Sequence, residues 1–223
     1  MKKLWEKADG FQVVITSYKS EEYLERCLRS LNYSLIGYNW VLHIAFDGEP
    51  ASGWGSFSAS GADNFSASGA DGFSSFYSEL NSGAANFSAL DAGKLNANKV
   101  FVYEYNKAAN VAKAKNKVIK NIKQYTAEYP AILFMDADDE MLRERPRMLK
   151  TAVRKNSPFV VGSWIRERAD GTKSVIGTNR TYKLMTFGSW ATVMHHSIIT
   201  DLMDNYGSFY YEGIPIFEDV LTH

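Results

Sequence analysis

Four acids, Asp136, Asp138, Asp139 and Glu140, fall within five positions of the stretch PAILFMDADDEML, directly after an apolar run. Carboxylates this close repel one another and resist ionising together, so something nearby has to neutralise them. On extended backbone, positions i and i+2 project to the same side, which would let Asp136 and Asp138 converge on one hard divalent cation such as Mg²⁺ or Mn²⁺. A cation held in that way can bridge two phosphate oxygens of a nucleotide and absorb the charge that develops as a diphosphate leaves. The competing reading is a helix N-cap with an acidic first turn, running into EMLRERPRML. Asp-X-Asp alone is a weak motif; at the end of a buried strand in an α/β pattern it gains specificity.

The surrounding elements supply that pattern. FQVVITS, residues 11–17, is β-branched with no helical period and reads as a buried strand. In the stretch that follows, Ser20 is the expected N-cap, Glu21 and Glu22 suit the positive end of a helix, and Leu24, Cys27, Leu28 and Leu31 recur at helical spacing. Residues 40–48, WVLHIAFDG, form the next strand and carry Asp47 at its end. Strand, helix and strand in that order give a βαβ unit with a parallel sheet. KVFVYEYN, residues 99–106, is a third strand, and AILFM a fourth, central and parallel. Between them runs a long helix with Val111, Ala114, Val118, Ile119 and Ile122 inward and a row of lysines outward. Ligands of open α/β sheets bind beyond the carboxyl ends of the strands, where the acids fall. Ala169-Asp170-Gly171-Thr172 marks a hairpin, so the second half adds antiparallel or mixed strands, followed by a short helix in SWATVMHHSIITDLMDNYG.

The chain has 223 residues, 45% of them hydrophobic, enough for one full core. Lys plus Arg and Asp plus Glu balance at 25 each, so no global basic field exists to hold nucleic acid or an anionic membrane. The single cysteine, Cys27, excludes an internal disulfide framework and a cysteine-based zinc cluster. The charged beginning does not read as a signal peptide and no apolar run approaches membrane-spanning length, which leads to the expectation of a cytoplasmic protein without a membrane span. Residues 51–98 differ in character: SFSASGAD is followed by NFSASGAD and GFSS, spacing Phe57, Phe65 and Phe73 evenly on one face of an extended chain. Either this is a duplicated Ser/Gly-rich surface loop, or its Phe residues dock on the domain or on a partner.

VVITSYKSEEYLERCLRSL, FDG, NKAANVAKAKN, AILFMDADDEM and FEDV, in that order, resemble the successive landmarks of family 2 glycosyltransferases with the GT-A fold. The resemblance covers most of the chain outside the Ser/Ala/Gly/Phe block. It implies an α/β fold of GT-A type, with a Rossmann-like mixed central sheet flanked by helices. Residues 1–223 would form a single catalytic domain with a low-complexity insertion at about 51–98. It also implies a metal-dependent transferase, with Mn²⁺ or Mg²⁺ as cofactor. The donor would be a nucleotide-diphosphate sugar, usually a UDP-sugar, and the acceptor a glycan, lipid or protein hydroxyl. By position, Thr16, Ser17 and Tyr18 border the nucleoside, Asp47 accepts a hydrogen bond from the base, Asp136 lies near the ribose, and Asp138 ligates the metal. Lys115 stands where the family often has an arginine, and lysine keeps the charge but loses the bidentate fork; the other reading is one more exposed lysine. Trp190 is a platform for a sugar ring or a core tryptophan.

In the resembled inverting enzymes an aspartate at the position of Asp219 removes the acceptor proton, which makes Asp219 the general base and Glu218 its neighbour. His223 completes the metal site, as a late histidine does in some GT-A enzymes, or is simply a frayed last residue. His195 and His196 read as an acceptor-side or interfacial pair, or as rings packed in the core. The chain stops soon after FEDV, so it is either a compact enzyme or a domain cut from something larger. Two other readings compete. An aspartyl phosphatase wants Thr or Val where Glu140 stands. A non-catalytic nucleotide-sugar or partner-binding module using the Phe-rich repeat would have no physical need for Asp47, Asp136, Asp138 and Asp219 together.

Overall fold

A computed structural model describes residues 4–5, 10–18, 20–47, 64–68, 74–81, 97–105, 111–122, 127–176 and 191–210. In chain order the elements are β1 (Gly10–Ser17), α1 (Glu21–Ser34), β2 (Asn39–Asp47), β3 (Asn64–Ser68), β4 (Ser74–Asn81), β5 (Lys99–Tyr105), α2 (Val111–Ile122), β6 (Ala131–Asp136), α3 (Glu144–Lys155), β7 (Phe159–Val161), β8 (Trp164–Glu167), β9 (Lys173–Ile176), β10 (Thr192–His195) and α4 (His196–Tyr206). Among the described residues, eight strands form one sheet in the order β3-β4-β5-β2-β1-β6-β10-β7. Its centre, β5-β2-β1-β6, is parallel. β10 runs antiparallel to β6 and β7, and β3 and β4 add an antiparallel edge against β5.

The apolar runs are continuous because both faces of the sheet are covered, and the period of two sorts their side chains between two cores. Phe11, Val13 and Ile15 of β1 join Leu24, Cys27, Leu28 and Leu31 of α1 and Leu149 and Ala152 of α3. Val14 joins Ala114, Val118, Ile119 and Ile122 of α2, Ile199 and Met203 of α4, and Phe209 and Tyr210. Cys27 is a buried core residue, and burial together with the nearby acids pushes its thiol pKa well above the ordinary range. Ser20 occupies the N-cap of α1 without a side-chain capping bond. The expected hairpin forms as the separate β8-β9 ribbon, with Gly171 in the left-handed region at φ +79° and the Asp170 carboxylate accepting from the Thr172 amide at 2.9 Å.

Part of the repeat region is regular. Within residues 51–98, β3 contains Phe65 and pairs with β4, which extends the main sheet; Phe57 and Phe73 lie outside the described residues. No helix among the described residues is long and apolar enough to cross a membrane.

His43, on β2, is fully buried, stacked on Phe101 at 4.8 Å between ring centroids, with Nδ1 3.0 Å from the Tyr103 hydroxyl. Burial lowers its pKa from 6.5 to about 3. The folded value lies below the unfolded one, so the unfolded chain binds the proton more readily. Stability from this residue is therefore complete above about pH 6.5 and declines as pH falls toward 3, by at most about 1.4 kcal/mol per pH unit. Urea unfolding from pH 7 to pH 4 is expected to show this loss, and His43→Gln to reduce its slope. An unchanged slope in the variant would assign the acid sensitivity to other groups.

Candidate active site at the carboxyl edge of the sheet

Along β6, Ala131, Leu133 and Met135 face the α1 and α3 core, whereas Ile132 and Phe134 face α2 and α4. Alternation therefore turns Asp136 toward α2. The parallel register sets Thr16 beside Asp136 and Ser17 beside Phe46, the residue before Asp47, so β1, β2 and β6 end along one edge. There β6 stops: the Asp139 amide donates to the Asp136 carbonyl at 3.1 Å and closes a turn, and the Ala137 amide donates to the Thr16 carbonyl at 3.3 Å. Residues 136–138 are thus not extended backbone, and the i, i+2 argument for convergence on one cation does not apply. The helix-cap reading fails as well, because α3 begins only at Glu144, with Arg143 at its N-cap.

Cations from three directions offset the acids. Lys115 of α2 places Nζ 3.3 Å from Asp136 Oδ1, with 2% of the lysine side chain and 36% of the aspartate side chain exposed. Its ammonium also lies 5.2 Å from the centroid of the Tyr210 ring. Arg145 donates to the carbonyls of Phe134 at 2.7 Å and Thr192 at 3.1 Å, tying α3 to β6 and β10, and its charge acts on Asp139 and Asp136. Arg26 of α1 meets Glu140 at 2.9 Å on the surface. Asp138 is exposed, and its carboxylate forms no hydrogen bond or salt bridge among the described residues.

Asp139 is the most perturbed acid of the group. Burial, then the charges of Asp136 and Asp138, raise its pKa from 3.8 to about 6, against the opposing pull of Arg145 and Lys115. The loop itself is fixed from α1: the Ser34 hydroxyl donates to the Met141 carbonyl at 2.7 Å, and the Met141 amide donates to the Ser30 hydroxyl at 2.8 Å. Ser30 and Ser34 are one helical turn apart, so one face of α1 holds both backbone groups of Met141.

Thr16 and Ser17 are buried at the end of β1 and Tyr18 is half exposed beyond it. The backbone of Asp47 ends β2 at the same edge. Lys115 is not an exposed lysine; it stands behind Asp136 rather than open to solvent. Trp190, Asp219 and His223 lie outside the described residues. The acceptor-side reading of His195 and His196 is corrected: β10 is antiparallel to β6 and His195 pairs with Ala131, at the opposite end of β6 from Asp136. There the His195 ring packs edge-on against Trp5 at 4.7 Å and its Nδ1 lies 2.9 Å from the Ser197 hydroxyl.

Sequence reasoning missed Arg145, Asn116 and Tyr210. Asn116 is buried beside Lys115, and its side chain bonds the backbone of Phe209 and Tyr210. Its signal was its place next to Lys115 in AKAKN, close to the inward face of an otherwise apolar stripe.

For the implied metal, the described residues offer Asp138 as an open carboxylate, a hard oxygen donor of the kind Mg²⁺ and Mn²⁺ prefer alongside phosphate oxygens and water. Among the described residues no group of three or more His, Cys, Asp or Glu side chains gathers to hold a metal ion.

A doubly covered, mixed sheet with an acidic turn at the carboxyl edge of its parallel centre is an α/β fold of GT-A type. The structure is similar to the crystal structure of S. aureus TarS, with a TM-score of 0.55 and 14% identity. The match covers 95% of this chain and 32% of that one, so the chain spans about a third of TarS. No family model and no curated protein matches the sequence.

Proposed function

We propose that this chain is a metal-dependent glycosyltransferase that moves a sugar from a nucleotide-diphosphate sugar, a UDP-sugar by preference, to an acceptor hydroxyl with inversion at the anomeric carbon. One observation carries the reading: in a GT-A fold, the carboxyl edge of the sheet presents an exposed, unbridged Asp138 next to an Asp136 already balanced by Lys115. The two acids are thereby suited to different tasks. Asp136, neutralised from behind, can accept hydrogen bonds from a neutral group such as a ribose hydroxyl. Asp138, exposed, would be open to Mn²⁺ or Mg²⁺, which when bound would offset the charge of a departing diphosphate.

Thr16 and Ser17 end the adjacent strand and Tyr18 follows it; the three would border the nucleoside, with Asp47 on the base. Tyr18, half exposed, has the surface to stack on a planar ring. Trp190 would support the sugar, Asp219 would take the acceptor proton, and His223 would join Asp138 on the metal. The acceptor is a glycan, lipid or protein hydroxyl.

Thermal denaturation with UDP, UDP-sugars and GDP-sugars, with and without Mn²⁺, tests this reading. A ligand at about 100 times its Kd adds about 2.7 kcal/mol, which for a chain of this size raises Tm by about 5–10 °C. That shift is expected with uridine nucleotides in Mn²⁺. No shift with any nucleotide would refute the transferase.

A further inference from the structure

We infer that Asn116 and Tyr210 are positioning residues for nucleotide recognition, acting through Lys115 on Asp136; this rests on the reading of the strand-end acids as a nucleotide site. The Asn116 amide uses both of its functions on one short segment. Its Nδ2 donates to the Tyr210 carbonyl at 2.8 Å, and its Oδ1 accepts from the Phe209 amide at 3.1 Å and the Tyr210 amide at 2.8 Å. Both lone pairs of the oxygen and one amide proton are engaged, which neither aspartate nor an apolar residue can reproduce. The segment after α4 is thereby fastened to the same helical turn that carries Lys115.

That fastening decides where the Tyr210 ring sits. The ring is fully buried, meets Phe134 edge-on at 5.5 Å, and has the Lys115 ammonium 5.2 Å from its centroid. Phe134 precedes Asp136 by two on β6 and shares its face. Tyr210 thus touches the strand that bears Asp136 and supports the cation that pairs with it. An ammonium removed from water needs its charge met inside the protein, and here the Asp136 carboxylate at 3.3 Å and the π face of Tyr210 meet it together. With Lys115 so held, Asp136 keeps one orientation at the edge of the site. Without the Asn116 bonds the ring loses its anchor, Lys115 loses a support, and Asp136 turns toward solvent.

The test compares Asn116→Ala, Tyr210→Leu and Tyr210→Phe by two readouts, each variant first checked for native circular dichroism. The first is the ¹⁵N resonance of the solvent-protected Lys115 ammonium at pH 6 and low temperature, assigned by its loss in Lys115→Met. The second is calorimetric titration with UDP in Mn²⁺. Asn116→Ala and Tyr210→Leu are expected to lose the resonance and to bind UDP about tenfold more weakly, the effect of a desolvated cation–π contact. Tyr210→Phe keeps the ring and is expected to match the wild type in both. Tyr210→Phe failing as badly as Tyr210→Leu would overturn the inference, as would Tyr210→Leu keeping the resonance or binding UDP normally. Should Asn116→Ala fail to fold, the Tyr210 pair alone decides. If the wild type binds no UDP, the proposed function fails, and the resonance comparison still rules on the support itself.

Discussion

Asp136→Asn is expected to lower stability by about 2–4 kcal/mol, whereas Lys115→Met, the other half of the same ion pair, is expected to cost under about 1.5 kcal/mol. The asymmetry follows from exposure. Removing the carboxylate takes away an acid 3.3 Å from an ammonium that is almost wholly out of water, because only 2% of the Lys115 side chain is exposed. Asp139 remains near enough to offset part of that charge, which keeps the loss below the extreme for a buried pair. Removing the lysine instead leaves a carboxylate with 36% of its side chain exposed, which water can solvate. Methionine preserves most of the lysine stem's volume among Tyr210 and its neighbours. Urea unfolding of both variants checks this. Equal losses, or a larger loss in Lys115→Met, would mean that the pair is not the main partner of the buried ammonium.

Asp219→Asn is expected to reduce sugar transfer by about 10²–10⁴-fold, the usual contribution of a positioned general base, while changing UDP affinity by less than about threefold. An amide of the same shape cannot take the acceptor proton, yet leaves the diphosphate and its metal undisturbed. UDP release from a turned-over UDP-sugar gives the rate, and calorimetry gives the affinity. Loss of both together would make Asp219 structural or a metal ligand instead. A chain that binds UDP with the metal but turns over no UDP-sugar in wild-type form would be the non-catalytic binding module that the Phe-rich repeat first suggested.

Most of the parallel centre was legible because its signals are local. β1 and β6 are short apolar runs buried on both faces, and α1 repeats its leucines at helical spacing. Lys115 shows where that reasoning stops. It lies on the same stripe of α2 as Ala112, Ile119 and Ile122, all buried, so the helical period allowed burial while its residue type, in a row of lysines, argued for solvent. Only the neighbouring strand, whose alternation aims Asp136 at α2, resolves the conflict. Arg145 was harder still, since EMLRERPRML contains several arginines and no local rule marks the one that reaches the Phe134 and Thr192 carbonyls. The Asn116 bonds span 94 positions, beyond any local pattern. Strand direction decided the histidines: an antiparallel β10 carries His195 and His196 away from the acids. In the repeat, Ser and Gly content argued for a loop, and the pairing of β3 with β4 and of β4 with β5 is set by strands distant in sequence rather than by any local pattern.

The most direct test of the central claim is calorimetric titration of UDP into the wild type and Asp138→Ala, each in Mn²⁺ and in EDTA. The account predicts binding by the wild type that weakens at least about tenfold in EDTA, and no such metal dependence in Asp138→Ala, where the cation has lost its carboxylate. Equal UDP affinity in all four titrations, or none in any, would contradict it.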